Sequence, residues 1–174
     1  MTQAERRRYL IRSLMAERAE YRDMALPQGE DEQRRRLRSL MNVRPPRGAD
    51  RKFLTVQDDY LRQTLAEEGI TPVAALRPVS GDLYIWQGDI TRLQCGAIVN
   101  AANSGMTGCY IPCHACIDNC IHTYAGVQLR LACAGLMAAQ GHEEPTGQAK
   151  ITKAYNLPCD YILHTVGPVI EGRV

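Results

Sequence analysis

Apolar positions in the first part of the chain recur at the spacing of a helix. Leu10, Ile11, Leu14 and Met15 share one face in a background of Arg and Glu, as in an amphipathic helix. Leu26-Pro27-Gln28-Gly29 breaks it, a second helical pattern covers Glu32 to Met41, and Arg44-Pro45-Pro46-Arg47-Gly48 ends that one. Phe53, Val56, Tyr60, Leu61 and Leu65 predict a third helix, with Gly69 placed to stop it. Beyond Pro72 and Pro78 the character changes. Asp82-Leu83-Tyr84-Ile85-Trp86 has strand composition, and Ala97-Ile98-Val99 is a short apolar run entering a loop of Asn, Gly and Ser. From Ile117 to about Met137 the pattern is helical again, with Ile117, Ile121, Tyr124, Leu129 and Leu131 on or near one stripe. Tyr161 to Val166 reads as another strand, closed by Gly167-Pro168. Strand, polar loop, helix and strand in that order form the grammar of a βαβ sheet, so the fold class is α/β. Residues 1–76 make a helical extension in front of a domain spanning 77–174.

An apolar share of 45% is enough to fill a core, and no stretch is long and apolar enough to span a bilayer. The basic N-terminus is interrupted by charges throughout and leads into no apolar segment, which excludes a signal peptide. The expected compartment is the cytoplasm, where thiols stay reduced. The net charge of +2 hides an asymmetry: residues 1–80 hold 16 Lys/Arg against 12 Asp/Glu, residues 81–174 hold 5 against 7. The triplets Arg6–Arg8 and Arg34–Arg36 invite a nucleic-acid reading, but the interspersed carboxylates favour solvated helix faces, and nucleic acid is not the expected partner.

All seven cysteines and all four histidines lie beyond residue 81. In a reducing compartment that concentration points to metal binding or catalysis before disulfides. Cys109, Cys113, His114 and Cys116 fall within eight loop residues. Mixed thiolate and imidazole ligands suit zinc best, with iron or copper as alternatives. Cys95, Cys120, Cys133 and Cys159 sit in strand or helix patterns and read as buried, inert residues. Asp118 stands at the start of the following helix, where the dipole favours its charge, and His122 lies one turn on along the same face. His164 belongs inside a strand, and His142, followed by two glutamates, on an exposed loop.

Gly88-Asp89-Ile90-Thr91 and, about ten residues later, Ala97-Ile98-Val99-Asn100-Ala101-Ala102-Asn103 together resemble the opening of a macrodomain. Thr146 to Thr152 and Tyr161 to Pro168 resemble the middle of that domain. The resemblance implies a three-layer α/β/α core binding ADP-ribose or ADP-ribosylated protein. Asp89 and Ile90 would then hold the adenine, and Asn100 and Asn103 would place the distal ribose. Thr107 and Gly108 would belong to the loop that cradles the ligand. Where hydrolytic macrodomains carry a glycine-rich loop, this chain resembles the zinc-containing subclass, whose loop holds Cys, His and Cys. That implies one Zn2+ per chain on Cys109, His114 and Cys116, with Cys113 a competing fourth ligand. Three protein ligands leave a corner for water or substrate, whereas four close the site. By the same resemblance Asp118 and Asn103 would be the catalytic pair.

The expected activity is zinc-dependent removal of ADP-ribose from mono-ADP-ribosylated protein, a glycosidase-type hydrolysis. Two other readings stand beside it: a non-catalytic ADP-ribose reader, and a structural zinc module with an Arg-rich nucleic-acid-binding arm. Relative to the family pattern, the last third of the domain and its second phosphate loop are not in this sequence. The reading is therefore of an incomplete core.

Overall fold

The computed structural model describes residues 1–168; the final residues of the expected 77–174 domain lie outside the described part. Three helices come first along the chain. Helix α1, Gln3–Ala16, starts on a capping box in which Thr2 accepts from the Glu5 backbone N–H and Glu5 accepts from that of Thr2. Helix α2, Glu30–Val43, opens on three carboxylates, Glu30, Asp31 and Glu32, which the helix dipole stabilises. Helix α3, Arg51–Glu68, is capped by Asp50 and stops at Gly69, whose φ of 90° a side chain would oppose. Leu10, Ile11, Leu14 and Met15 pack on Leu37, Leu40 and Met41 and on Phe53, Val56, Tyr60 and Leu61. The helices fall where the apolar spacing placed them.

The segment that follows departs from expectation. Of Asp82–Trp86 only Leu83–Tyr84 is strand. After the parallel pairing partner Thr71–Pro72 (β1), this β3 forms a small antiparallel hairpin with Pro78–Ser80 (β2). Leu83 and Ile85 stay exposed, so strand composition here produced a local hairpin and no member of the main sheet. Leu93–Gln94 (β4) pairs with β1.

The main sheet holds Ala97–Ala102 (β5), Ala149–Lys153 (β6) and Tyr161–Val166 (β7) in the order β5-β7-β6. β5 and β7 run parallel, which the βαβ grammar requires, and β6 lies antiparallel on the edge. The β6 strand was not legible beforehand, because Lys150 and Lys153 interrupt its apolar pattern. Between β5 and β6 the single expected helix is two, Ile117–Ala125 (α4) and Val127–Gln140 (α5). The break is Gly126, φ 97°, where a Cβ would stand 2.6 Å from the Gln57 amide nitrogen. Gln57 uses that close approach to accept the free Val127 N–H at 2.9 Å. Within α5, Leu129 and Leu131 stand two residues and about 200° apart, so Leu129 is buried while Leu131 faces out.

Ile98, Ile162, Ile121, Ala125, Leu129 and Cys133 form the core between the sheet and α4–α5. Alternation along the strands turns Val99, Ile151 and Leu163 to the other face, where they are exposed. Of the three layers expected, two are therefore present among the described residues. The extension is no separate appendage: Val127 of α5 belongs to the helical core. Buried Arg130 donates to the carbonyls of Met41, Asn42 and Arg44, at 3.3, 2.6 and 2.7 Å, and so caps the end of α2.

Replacing Arg130 by Met keeps the apolar stem and strands those carbonyls without a donor. The expected cost is about 3 kcal/mol or more, read from urea unfolding of the purified protein. A loss below about 1 kcal/mol would show that water satisfies the α2 end.

Candidate metal centre and active site

The loop from Asn103 to Cys116 has almost no regular structure, and its shape is set by close contacts. Met106 folds back at φ 58° and is almost fully buried, anchoring the first turn. Gly108, φ 84°, passes directly over the His122 ring; a Cβ there would stand 2.7 Å from ring atoms, so only glycine fits. Asn119 donates from its side chain to the carbonyls of Ile111 and Cys109 at 2.9 and 3.3 Å. Cys116 caps α4, its sulfur accepting the Asn119 N–H at 3.4 Å.

This folding gathers Cys109, His114 and Cys116, with one ligand atom of each within 4.8 Å of the others. The Cys109 Sγ to His114 Nδ1 separation is 3.6 Å. Sulfur and nitrogen on one tetrahedral zinc, at their usual bond lengths, stand about 3.6 Å apart. The donor set therefore fits such an ion. Burial and the adjacent Cys109 push the Cys116 thiol up. Cys113 is elsewhere: at φ 53° its thiol donates to the Arg35 carbonyl at 3.4 Å.

His122, Cys133 and His164 form a second trio of the same residue types, fully inside the protein. Its chemistry is opposite. Burial drives the Cys133 thiol up to about 12 and holds His122 near about 3 and His164 near about 4. Both His164 nitrogens are already bonded. The Asn100 amide donates to Nδ1 at 3.0 Å, and the Nε2–H, in the tautomer this requires, donates to Thr152 Oγ1 at 2.9 Å. This trio is a neutral part of the core, with His122 packed beside the His164 ring and making no hydrogen bond of its own.

Above it lies Asp118. Asn100 donates to its Oδ1 at 2.8 Å and Asn103 lies 3.4 Å from its Oδ2. His122 is 3.6 Å away, beyond hydrogen-bond reach, and its neutrality rules out an ion pair. Burial raises the Asp118 pKa, opposed by the Asn100 hydrogen bond and the charge of Arg130. Asn100, placed beside the distal ribose by the sequence resemblance, is fully buried and instead spans Asp118 and His164. Asn103 is exposed, also donates to the Gly108 carbonyl at 3.2 Å, and keeps the loop against the carboxylate. Thr107 is half-buried within the same loop.

Asp89 and Ile90 are not gathered into this cluster. Asp89 is exposed and accepts from the Thr91 N–H and hydroxyl at 2.9 and 2.7 Å, while Ile90 packs against the sheet core. His142 is exposed; Cys133 and Cys159 are buried, but Cys95 and Cys120 are only half-buried. Four residues at the site carry no signal in the sequence: Arg38, Asn42, Asn119 and Arg130. Only Asn119, beside Asp118, stood near enough to any motif to be suspected.

The family model described as Macro domain matches residues 99–174. Over its whole length the chain is 61% identical to a protein-ADP-ribose hydrolase of Treponema medium, of which it covers 68%. With 94% of its length it is 46% identical to a protein-ADP-ribose hydrolase of Staphylococcus aureus strain MRSA252, covering 61% of that protein. Among solved structures, a Trypanosoma brucei macrodomain in complex with ADP aligns over 78% of this chain and 60% of its own. The TM-score is 0.50 and the identity 31%. The chain thus spans about two thirds of the length of these relatives.

Because folded His164 and His122 titrate near about 4 and about 3 against an ordinary 6.5, the unfolded chain takes up protons first on acidification. Their contribution is complete above 6.5 and is lost as pH falls through the folded values, at up to about 1.4 kcal/mol per pH unit for each. Urea midpoints of the metal-free protein should drop between about pH 7 and about pH 5, and drop less for His164→Gln. A flat profile would contradict neutral, buried imidazoles.

Proposed function

This chain belongs to the macrodomain family, and we propose that it is a protein-ADP-ribose hydrolase working with one zinc ion on Cys109, His114 and Cys116. The observation that carries this reading is a single helix end. Cys116 caps α4 and Asp118 occupies its first turn, so one ligand of a three-ligand centre and a buried carboxylate stand two residues apart at the same helix start. Zinc at such a centre, when bound, supplies a Lewis acid and lowers the pKa of a coordinated water.

The chain's own residues do the rest. Backbone N–H groups of the Thr107–Gly108 turn and the α4 N-terminus suit a pyrophosphate, since a domain with net negative charge has to bind anions through oriented dipoles. Asn103, exposed and fixed against Asp118, suits a ribose hydroxyl. Asp89 has an exposed carboxylate for the adenine amino group. In the reaction, a water oxygen bonds to the anomeric carbon of the distal ribose as the bond to the acceptor breaks. Asp118 takes the water proton, and the departing acceptor atom is protonated in its turn. A carboxyl whose pKa burial has raised is a better base than an exposed one. Asn100 keeps it aimed, and neutral His164 keeps Asn100 aimed.

Thiolate ligands require a reducing compartment, which supports a cytoplasmic location. Several arginines of the extension are already paired: Arg6 with Asp59, Arg7 and Arg34 with Glu30, Arg44 with Glu17. No observation favours a nucleic-acid arm.

Asp118→Ala should slow ADP-ribose release from mono-ADP-ribosylated protein by roughly 100- to 10,000-fold, with ADP-ribose affinity changed only a few-fold by calorimetry. Asp89→Ala should do the reverse, weakening binding roughly 10-fold. If turnover survives both Asp118→Ala and Cys116→Ala, the mechanism is wrong.

A further inference from the structure

The metal loop contains one more thiol than an open centre can use. Cys109 and Cys113 stand in a C-x3-C spacing and Cys116 follows, so the loop by itself offers three sulfurs and an imidazole. That set fills a tetrahedron and makes a structural site. In the folded protein Cys113 is turned away from the other three, and what turns it is helix α2 of the extension.

Three contacts do this. The Cys113 N–H donates to Asn42 Oδ1 at 2.8 Å, its thiol to the Arg35 carbonyl at 3.4 Å, and Arg38 Nη2 to the His114 carbonyl at 2.7 Å. Asn42 is almost fully buried, and its amide can stand only one way round. The Thr123 hydroxyl gives its hydrogen to the Asn119 carbonyl at 2.7 Å, so its oxygen can only accept, and it accepts from Asn42 Nδ2 at 2.8 Å. That leaves Oδ1 facing the Cys113 N–H, holding the residue at its positive φ. Arg38 is fixed in turn by Asn119 Oδ1 at 3.1 Å.

We infer that α2 keeps the metal centre open: Asn42 and Arg38 are positioning residues that withhold Cys113 from the ion. This rests on the metal reading above, and it makes the helical extension part of the centre although it supplies no ligand. With α2 released, Cys113 rotates inward, loses its proton to solvent and completes a four-ligand, closed site.

Cobalt(II) binding to the whole protein tests this, because thiolate-to-cobalt charge-transfer absorbance grows with the number of sulfurs bound. The native protein should show a two-thiolate band, unchanged in intensity and in chelator-competition affinity by Cys113→Ser. Asn42→Ala should raise the band by roughly half, as expected for three thiolates in place of two. Adding Cys113→Ser to that variant should return it to the native value. Arg38→Ala, at a half-buried position, should act in the same direction and serves if Asn42→Ala does not fold. A band that falls by about a third in Cys113→Ser alone would mean that Cys113 is already a ligand. A native band in both α2 variants would mean that the helix does not hold it, and either result overturns the inference. Absence of any cobalt binding by the native protein would overturn the metal reading itself, and the inference with it.

Discussion

A loop without a ladder has to be held by side chains. Between β5 and α4 the backbone makes only isolated turns, yet its peptide groups lie against the rest of the protein and need partners. Asn103, Asn119 and Arg130 supply them from within the α/β domain, and Arg38 and Asn42 from the extension. Every feature of the centre follows from that holding. The ligand atoms meet because the loop cannot relax, and Asp118 lies close by because Cys116 caps the helix that carries it.

The two Cys/His trios show how far environment overrides residue type. Cys109, His114 and Cys116 sit on a partly exposed loop, with one ligand atom of each within 4.8 Å of the others. His122, Cys133 and His164 sit in the sheet–helix core, where burial makes charge costly and each group stays neutral. The first arrangement suits a cation. In the second, His164 alone carries hydrogen bonds outward, to Thr152 and to Asn100, and through Asn100 it orients the carboxylate, while His122 packs beneath Gly108.

The extension belongs to the same design. Its three helices bury their own core but share Val127 with α5, and the Gln57 side chain fills the gap in the α4–α5 backbone left by Gly126. Its arginines, which dominate the charge of that half of the chain, are largely engaged where they are buried. Arg7 meets Gln33 and Glu30, and Arg44 meets Glu17 and two carbonyls. Arg6, Arg7 and Arg44 join one helix to another.

By itself the sequence determined whatever depends on neighbours along the chain. Helical periodicity located α1, α2 and α3, apolar runs located β5 and β7, and the clustering of Cys109, His114 and Cys116 within one loop picked out the three residues whose ligand atoms the fold brings within 4.8 Å of one another. Tertiary structure decided what depends on residues far apart in sequence. Whether Leu83 and Ile85 join a sheet depends on what else can cover them, and nothing among the described residues does. Where the long helix breaks depends on Gln57 and Asn156 pressing on Gly126. The resemblance implies that Asn100 stands beside the distal ribose, and the pleat of β5 turns its side chain inward, to Asp118 and His164. Which sulfurs face an ion could not be counted from spacing, since all three cysteines lie within reach of it. That choice is made by hydrogen bonds from a helix some seventy residues earlier, and such contacts leave no periodicity or motif to read.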